Sequence, residues 1–230
     1  MKYLLSILLL VTSIVSYADN LNNRQRRLSA VYLSQTQIGQ EVLQQNSLKH
    51  QFFDKYFFGD ITPRLTAIYN FETENGHINS FTVNGLLLGA SPIYLSWTLA
   101  YTLKHYEMYE MASNYNFNPS VNFLEKEMLA FATAAAHWKQ LGSLNEEDFI
   151  EPIKDRPDDI RNHIQASAEK FDQAYKSGSQ SFKDMVKKRF FRFNSSKLTA
   201  EDLLNSNELS DKQKQYVLEI LNQLEQTLKL

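Results

Sequence analysis

The segment Ser91–Leu103, SPIYLSWTLAYTL, decides the fold of this chain. Ser91 suits the N-cap of a helix, and Pro92 suits its first turn. The residues that follow are apolar on nearly every side, which is typical of a helix buried in a core. The unbroken apolar run covers roughly 12 residues, short of the about 20 that a membrane span needs. We therefore expect a buried central helix over residues 92–112.

Upstream of this helix, residues 65–85 alternate between apolar and polar side chains in the manner of a β-hairpin. Gly76 suits the left-handed last position of a three-residue loop, Glu74-Asn75-Gly76. Counting outward from that loop gives four facing pairs: Thr73 with His77, Phe71 with Asn79, Tyr69 with Phe81, and Ala67 with Val83. A two-residue loop would mix the two faces. A lone hairpin is marginal in water, so this one must pack on the helices.

Apolar residues at three- and four-residue spacing predict helices along most of the remaining chain. One runs from Asn22 to about Gln45, and a short second helix carries Leu48, Phe52, Phe53, Tyr56 and Phe57 and stops near Gly59. Asn118-Pro119 is expected to open another helix, which ends at Leu141-Gly142. Its run Ala132–Ala136 is small enough for a neighbouring helix to approach closely.

The C-terminal third shows start and stop signals of helices in succession. A helix is expected from Pro157 to Gly178, and N-caps are expected at Ser181, Thr199 and Ser210. The sequence thus predicts a mainly α-helical, bundle-like domain with one β-hairpin at about 65–85 and a helical C-terminal part. We divide it into residues 1–18 (signal peptide), 19–145 (helical core with the hairpin) and 157–230 (helical C-terminal subdomain).

Composition excludes several classes of protein. The chain has 230 residues and no cysteine, which removes disulfides, thiol nucleophiles and Cys-ligated zinc. Its 24 basic and 26 acidic residues nearly balance, unlike the strongly basic footprint of a nucleic-acid binder. We therefore expect no nucleic-acid partner. The abundance of Asn, Lys, Tyr and Phe is typical of a bacterial protein.

The N-terminus has the order of a cleavable secretory signal. Lys2 supplies a positive charge, Tyr3–Val15 is apolar, and Ser16-Tyr17-Ala18 places small residues where a signal peptidase cleaves. We expect a periplasmic or secreted protein whose mature form begins at Asp19. An uncleaved N-terminal anchor is the alternative.

A metal or acid–base site is the first chemistry to consider. His105, Glu107 and Glu110 fall on one predicted helix, and Glu127 and His137 fall on the next. None of these spacings is the His-Glu-x-x-His arrangement of a zinc helix. His105 shares a helix face with Trp97 and Tyr101, which favours a hydrogen-bonded core histidine. His137 is interpreted as a histidine at a helix C-terminus, where a cation is favoured. We therefore predict no catalytic residue, metal or cofactor.

The segment Phe182–Phe193, FKDMVKKRFFRF, is basic and amphipathic. Its cations are Lys183, Lys187, Lys188, Arg189 and Arg192. Such a helix can contact an anionic membrane or an acidic partner, or it can dock its Phe side in the core and expose its basic side. We predict these five residues as the partner- or membrane-binding surface.

Three functions remain open. The first is an exported bacterial envelope protein that acts by binding another protein, as an assembly factor, an inhibitor or an immunity-type partner. The second is a periplasmic carrier of a lipid or other apolar ligand. The third is a hydrolase that uses His105, Glu110, Glu127 or His137. A large dry cavity would favour the carrier, and an acid meeting His105 in a wet cleft would favour the enzyme.

Overall fold

The computed structural model describes residues 23–44, 56–59, 67–71, 78–85, 92–144, 169–194 and 197–229. Within these ranges the chain is mainly α-helical with one β-hairpin, as the sequence predicts. The elements are α1 (23–34), α2 (Gln37–Gln44), β1 (Tyr56–Gly59), β2 (Ala67–Phe71), β3 (Ile78–Asn84), α3 (Pro92–Asn114), α4 (Leu124–Leu144), α5 (169–176), α6 (Ser179–Phe193), α7 (Ala200–Asn205) and α8 (Asp211–Thr227).

Helix α3 is the buried centre of the molecule. Side chains on all its faces are buried, among them Tyr94, Leu95, Trp97 and Leu99. It packs along α4, whose small residues in 132–136 are buried, and both helices also contact α2 and α8. Of the helices in the described ranges, none is both long enough and apolar enough to span a membrane.

The predicted hairpin forms, and most of its described register is confirmed. Strands β2 and β3 pair antiparallel with Tyr69 opposite Phe81 and Ala67 opposite Val83. The pairing of Phe71 with Asn79 was wrong: Phe71 faces Ile78, because a register shift falls between Asn70 and Phe71. The loop Glu74-Asn75-Gly76 and the predicted pair Thr73–His77 lie outside the described residues.

The prediction of a short helix that stops near Gly59 was wrong for the part of it that the structure describes. Residues 56–59 form β1, which pairs parallel to β3 and gives the sheet order β1-β3-β2. Tyr56 is buried and Phe57 exposed, as the two-residue period of a strand requires. The ring of Tyr56 stacks on Phe81 with centroids 5.1 Å apart. The rest of the predicted helix, residues 48–55, lies outside the described ranges.

The single helix expected from Asn22 to Gln45 is two helices, α1 and α2. The chain turns at Gln35 and Thr36, and the Thr36 side chain then caps α2. Its Oγ1 accepts the backbone N–H of Gly39 at 3.0 Å, which satisfies a donor that has no partner within the helix.

Helix α4 begins later and ends later than predicted. The side chain of Asn118 accepts the backbone N–H of Ser120 at 3.0 Å, so Asn118-Pro119 forms a turn instead of a helix start. The helix begins at Leu124 and continues through Gly142 to Leu144. Residues 115–123 therefore form a connection that folds over the N-terminal end of α4.

The C-terminal signals are confirmed in part. Gly178 has φ 116° and separates α5 from α6, because that conformation suits glycine. Thr199 and Ser210 form capping boxes, whereas Ser181 lies inside α6 and caps nothing. The predicted signal peptide, the Ser91 cap and the helix start at Pro157 lie outside the described residues.

Candidate functional site

Helix α6 carries the predicted basic surface and is anchored by its apolar face. Phe182, Val186 and Phe190 recur every four residues and are all buried. The ring of Phe182 meets Tyr175 edge-on at 5.5 Å. The apolar side of α6 is thus committed to the protein core, and the opposite side faces outward.

The outward side of α6 is cationic. Lys187, Lys188, Arg189 and Arg192 are exposed, and Lys183 is half-buried. In the described part of the chain, no carboxylate lies within 4 Å of any of these five side chains. The structure therefore places all five predicted residues on one helix, with their charges unneutralised by ion pairs in that part.

An aromatic side chain stands among these cations. Phe193 is 68% exposed, and its ring centroid lies 5.2 Å from the guanidinium carbon of Arg192 and 5.5 Å from that of Arg189. Arg189 also lies over Phe131 and Phe171, at 5.8 and 5.6 Å. Arg189 is therefore partly a packing residue, whereas Lys187 and Lys188 make no such ring contact in the described chain.

A second site is a pocket of about 280 Å³ between α3, the 115–123 connection and the start of α4. It is lined by His105, Tyr109, Pro119, Ser120, Asn122, Lys126 and Glu127. His105 Nε2 lies 3.6 Å from Glu127 Oε2, an ion-pair distance too long for a hydrogen bond. The His105 side chain is 16% exposed and borders the pocket, and its Nε2 has no hydrogen-bond partner among the described residues, whereas a hydrogen-bonded core histidine was predicted.

Glu127 is held as a carboxylate. Its Oε2 accepts the hydroxyl of Tyr101 at 3.0 Å, and its Oε1 accepts the side-chain amide of Asn122 at 3.2 Å. Burial alone would raise the pKa of Glu127, but the charge of His105 and these hydrogen bonds outweigh it and lower the pKa to about 2.

Lys126 forms the other wall of the pocket. It is buried, and its Nζ donates to the carbonyl oxygens of Pro119 and Val121 at 3.1 and 3.0 Å. Burial lowers the pKa of Lys126 to about 8, and the nearby Glu127 charge offsets only part of that effect. Sequence reasoning missed Lys126 and Asn122, because it placed the connection inside a helix.

His137 does not join this pocket, and its interpretation as a helix-terminal cation was wrong. It lies within α4 with 0% of its surface exposed. Its Nδ1 is 2.7 Å from Thr36 Oγ1, and its Nε2 is 2.9 Å from Ser96 Oγ. The Ser96 hydroxyl donates to the Ile93 carbonyl at 2.6 Å, so it accepts from Nε2–H, and Nδ1 accepts from Thr36. Burial lowers the pKa of His137 to about 3, which makes it a neutral core residue.

The remaining acids of the predicted cluster also lie apart. Both oxygens of Glu107 bind the buried ammonium of Lys104, at 2.8 and 3.0 Å. Glu110 does not line the pocket. Over the residues that the structure describes, no three His, Asp or Glu side chains come together as metal ligands would. Of the predicted acid–base set, only His105 and Glu127 meet within the described residues, beside the pocket, which is the arrangement expected of the hydrolase alternative.

No protein-family model matches this chain, and no curated protein or solved structure is significantly similar to it.

Proposed function

We propose that this chain is an exported bacterial envelope protein that acts by binding another protein through the basic surface of α6. The observation that carries the proposal is the row of solvent-facing cations on α6, of which Arg189 and Arg192 lie beside the exposed Phe193. Arginine and aromatic side chains are enriched in protein interfaces and supply many of their energetic hot spots. Charge complementarity indicates an acidic surface on the partner.

The position of the apolar residues favours a protein over a membrane as the partner. A helix that lies on a bilayer buries its apolar face about 5–10 Å into the lipid. In α6 that face is already occupied, because Phe182, Val186 and Phe190 are buried in the core. Phe193 alone offers little apolar area for insertion, whereas an acidic protein surface needs only the cations and one aromatic anchor.

Export is the first part of the proposal to test. It is supported by Lys2, the apolar run Tyr3–Val15 and the Ser16-x-Ala18 exit. N-terminal sequencing of the protein recovered from the producing cells should begin at Asp19. Recovery of a membrane-bound product that retains Met1 would contradict it.

The binding surface is tested by removing charge without disturbing the core. Lys187→Gln with Lys188→Gln should weaken capture of one specific acidic protein from the cell envelope. The melting temperature should hardly change, because surface substitutions usually alter stability by within about 0.5 kcal/mol. The matched control is Lys212→Gln with Lys229→Gln, which removes the same charge from exposed positions near the two ends of α8. Equal loss of capture in both variants would contradict a specific surface, and retention on anionic vesicles alone would assign the surface to a membrane.

A further inference from the structure

The ammonium of Lys126 has more hydrogen-bond donors than acceptors among the described residues. A lysine ammonium has three N–H donors, and two of them go to the carbonyl oxygens of Pro119 and Val121. No carboxylate lies within 4 Å of its Nζ among the described residues. Only 5% of the Lys126 surface is exposed, and Lys126 lines the pocket. A buried cation with no carboxylate in direct contact is costly, and an anion in the adjoining pocket would lower that cost.

The charges around the pocket indicate how much anionic charge it can accept. The Glu127 carboxylate is already engaged by Tyr101, Asn122 and the imidazole of His105. It still repels a second negative charge, so a dianion is disfavoured. The single unpaired ammonium of Lys126 therefore matches one negative charge.

The size and the walls of the pocket indicate an organic ligand. Its volume of about 280 Å³ lies just below the usual range for small-molecule sites. Tyr109 and Pro119 supply apolar wall, while Ser120 and Asn122 supply polar groups. A small inorganic ion would contact little of this apolar wall.

We propose that this pocket binds a small organic monocarboxylate, whose carboxylate accepts the third N–H of Lys126 while its carbon body contacts Tyr109 and Pro119. The site is separate from the basic surface of α6, so this proposal does not depend on the proposed protein-binding function.

Benzoate is a suitable probe, and benzamide is its neutral counterpart of the same shape. In an NMR titration of the full chain, benzoate should give saturable shifts of the backbone amides of Tyr109, Ser120 and Lys126. Benzamide should bind at least about tenfold more weakly, since it lacks the charge that Lys126 pairs with. Absence of saturable shifts with benzoate up to about 50 mM, or an equal response to benzamide, would overturn the proposal.

Variants distinguish the role of Lys126 in binding from its hydrogen bonds to the connection formed by residues 115–123. Lys126→Met should reduce benzoate affinity at least about tenfold, whereas Lys139→Met on the same helix should leave it unchanged. Because Lys126→Met also removes the bonds to Pro119 and Val121, the wild type provides a second readout. Saturating benzoate should move the titration of the Lys126 ammonium to higher pH, since a bound anion stabilises its charged form. An unmoved titration would overturn the proposal even if the variant unfolds.

Discussion

The buried side chain of His137 fixes how three helices pack against one another. It connects three elements, because Thr36 at the start of α2 and Ser96 in α3 bind its two ring nitrogens. Both hydroxyls are buried as well. Removing the imidazole would leave each of them short of a partner, at a cost of about 1–3 kcal/mol per group. His137 is therefore a structural residue that fixes the packing of α2 against α3 and α4.

His137 also predicts a pH dependence of stability. Its pKa is lowered to about 3 in the folded protein, whereas an unperturbed histidine titrates near 6.5. Between these values the unfolded chain binds a proton that the folded protein does not. The free energy of unfolding should therefore fall as the pH decreases below 6.5, by up to about 1.4 kcal/mol per pH unit. Urea unfolding at several pH values between about 6.5 and 5 measures this slope.

The variant His137→Gln provides the comparison. It should be less stable than the wild type near neutral pH and should show a shallower slope across the same pH interval. Below about pH 4.5, carboxylates such as Glu127 add to the slope, so the comparison is confined to the higher interval. Equal slopes in the two proteins would show that His137 is not the group responsible.

Two glycines on neighbouring helices make a matched pair. A Cβ added at Gly39 would lie 1.8 Å from the carbonyl oxygen of Leu33, which is backbone and cannot move aside. Gly39→Ala should therefore lower the melting temperature and disturb the cap at Thr36. A Cβ at Gly142 meets nothing within 4 Å, so Gly142→Ala inside α4 should stabilise by about 0.5–1 kcal/mol. Thermal melts of both variants test this, and a stable Gly39→Ala protein would contradict the packing.

The sequence could predict the cations of α6 but not the partners of the histidines. One of the two predicted arrangements put the Phe side of this segment in the core and its basic side outward. It is correct for the buried Phe182 and Phe190 and the exposed Lys187 and Lys188, but not for Phe193, which is exposed. The environment of His137 depends on Thr36, about a hundred residues away. No local pattern signals such a contact, so a histidine followed by Trp138 near an expected helix end was interpreted as a helix-terminal cation.

At the scale of elements, the capping boxes explain where α7 and α8 begin. Thr199 accepts the backbone N–H of Asp202, and Ser210 accepts that of Gln213, while each partner side chain returns to the backbone of the cap residue. The hydrogen bonds of Thr199 lower the pKa of Asp202 and keep it charged. Both N-caps were predicted, because the signal for a helix start is contained within a few neighbouring residues.

Substitution of the caps should separate true caps from apparent ones. Thr199→Ala and Ser210→Ala should each destabilise by about 1 kcal/mol through the loss of a cap. Ser181→Ala is the control, because Ser181 lies exposed inside α6, where alanine is at least as favourable. Denaturant unfolding of the three variants measures the difference. A cost for Ser181→Ala equal to that of the true caps would contradict the observed start of α6.

The β-sheet illustrates the limit of local patterns at this scale. The hairpin register followed from alternation on both sides of one loop, and it was correct for Tyr69–Phe81 and Ala67–Val83. Strand β1 was misjudged, because its parallel pairing with β3 is formed across a longer stretch of chain. Its aromatic residues fit a helix or a strand equally well over four residues.

At the scale of the whole molecule, one core joins the N-terminal and C-terminal helices. Buried side chains of α3, α4, α6 and α8 belong to a single cluster. The hydroxyl of Tyr216 donates to the Met108 carbonyl at 2.9 Å, which ties α8 to the central helix. Helix α6 is anchored in the same core by Phe182, Val186 and Phe190, so its helical backbone supports the exposed cations.

The central claim is that the basic surface of α6 binds a protein. A photo-reactive amino acid placed at Lys187 and, separately, at Lys229 tests it in the intact producing cells. We predict one discrete protein adduct from position 187 that is lost when Lys188 and Arg192 are replaced by Gln, and no such adduct from position 229. Absence of a protein adduct at position 187, or the same adducts from both positions, would contradict the account.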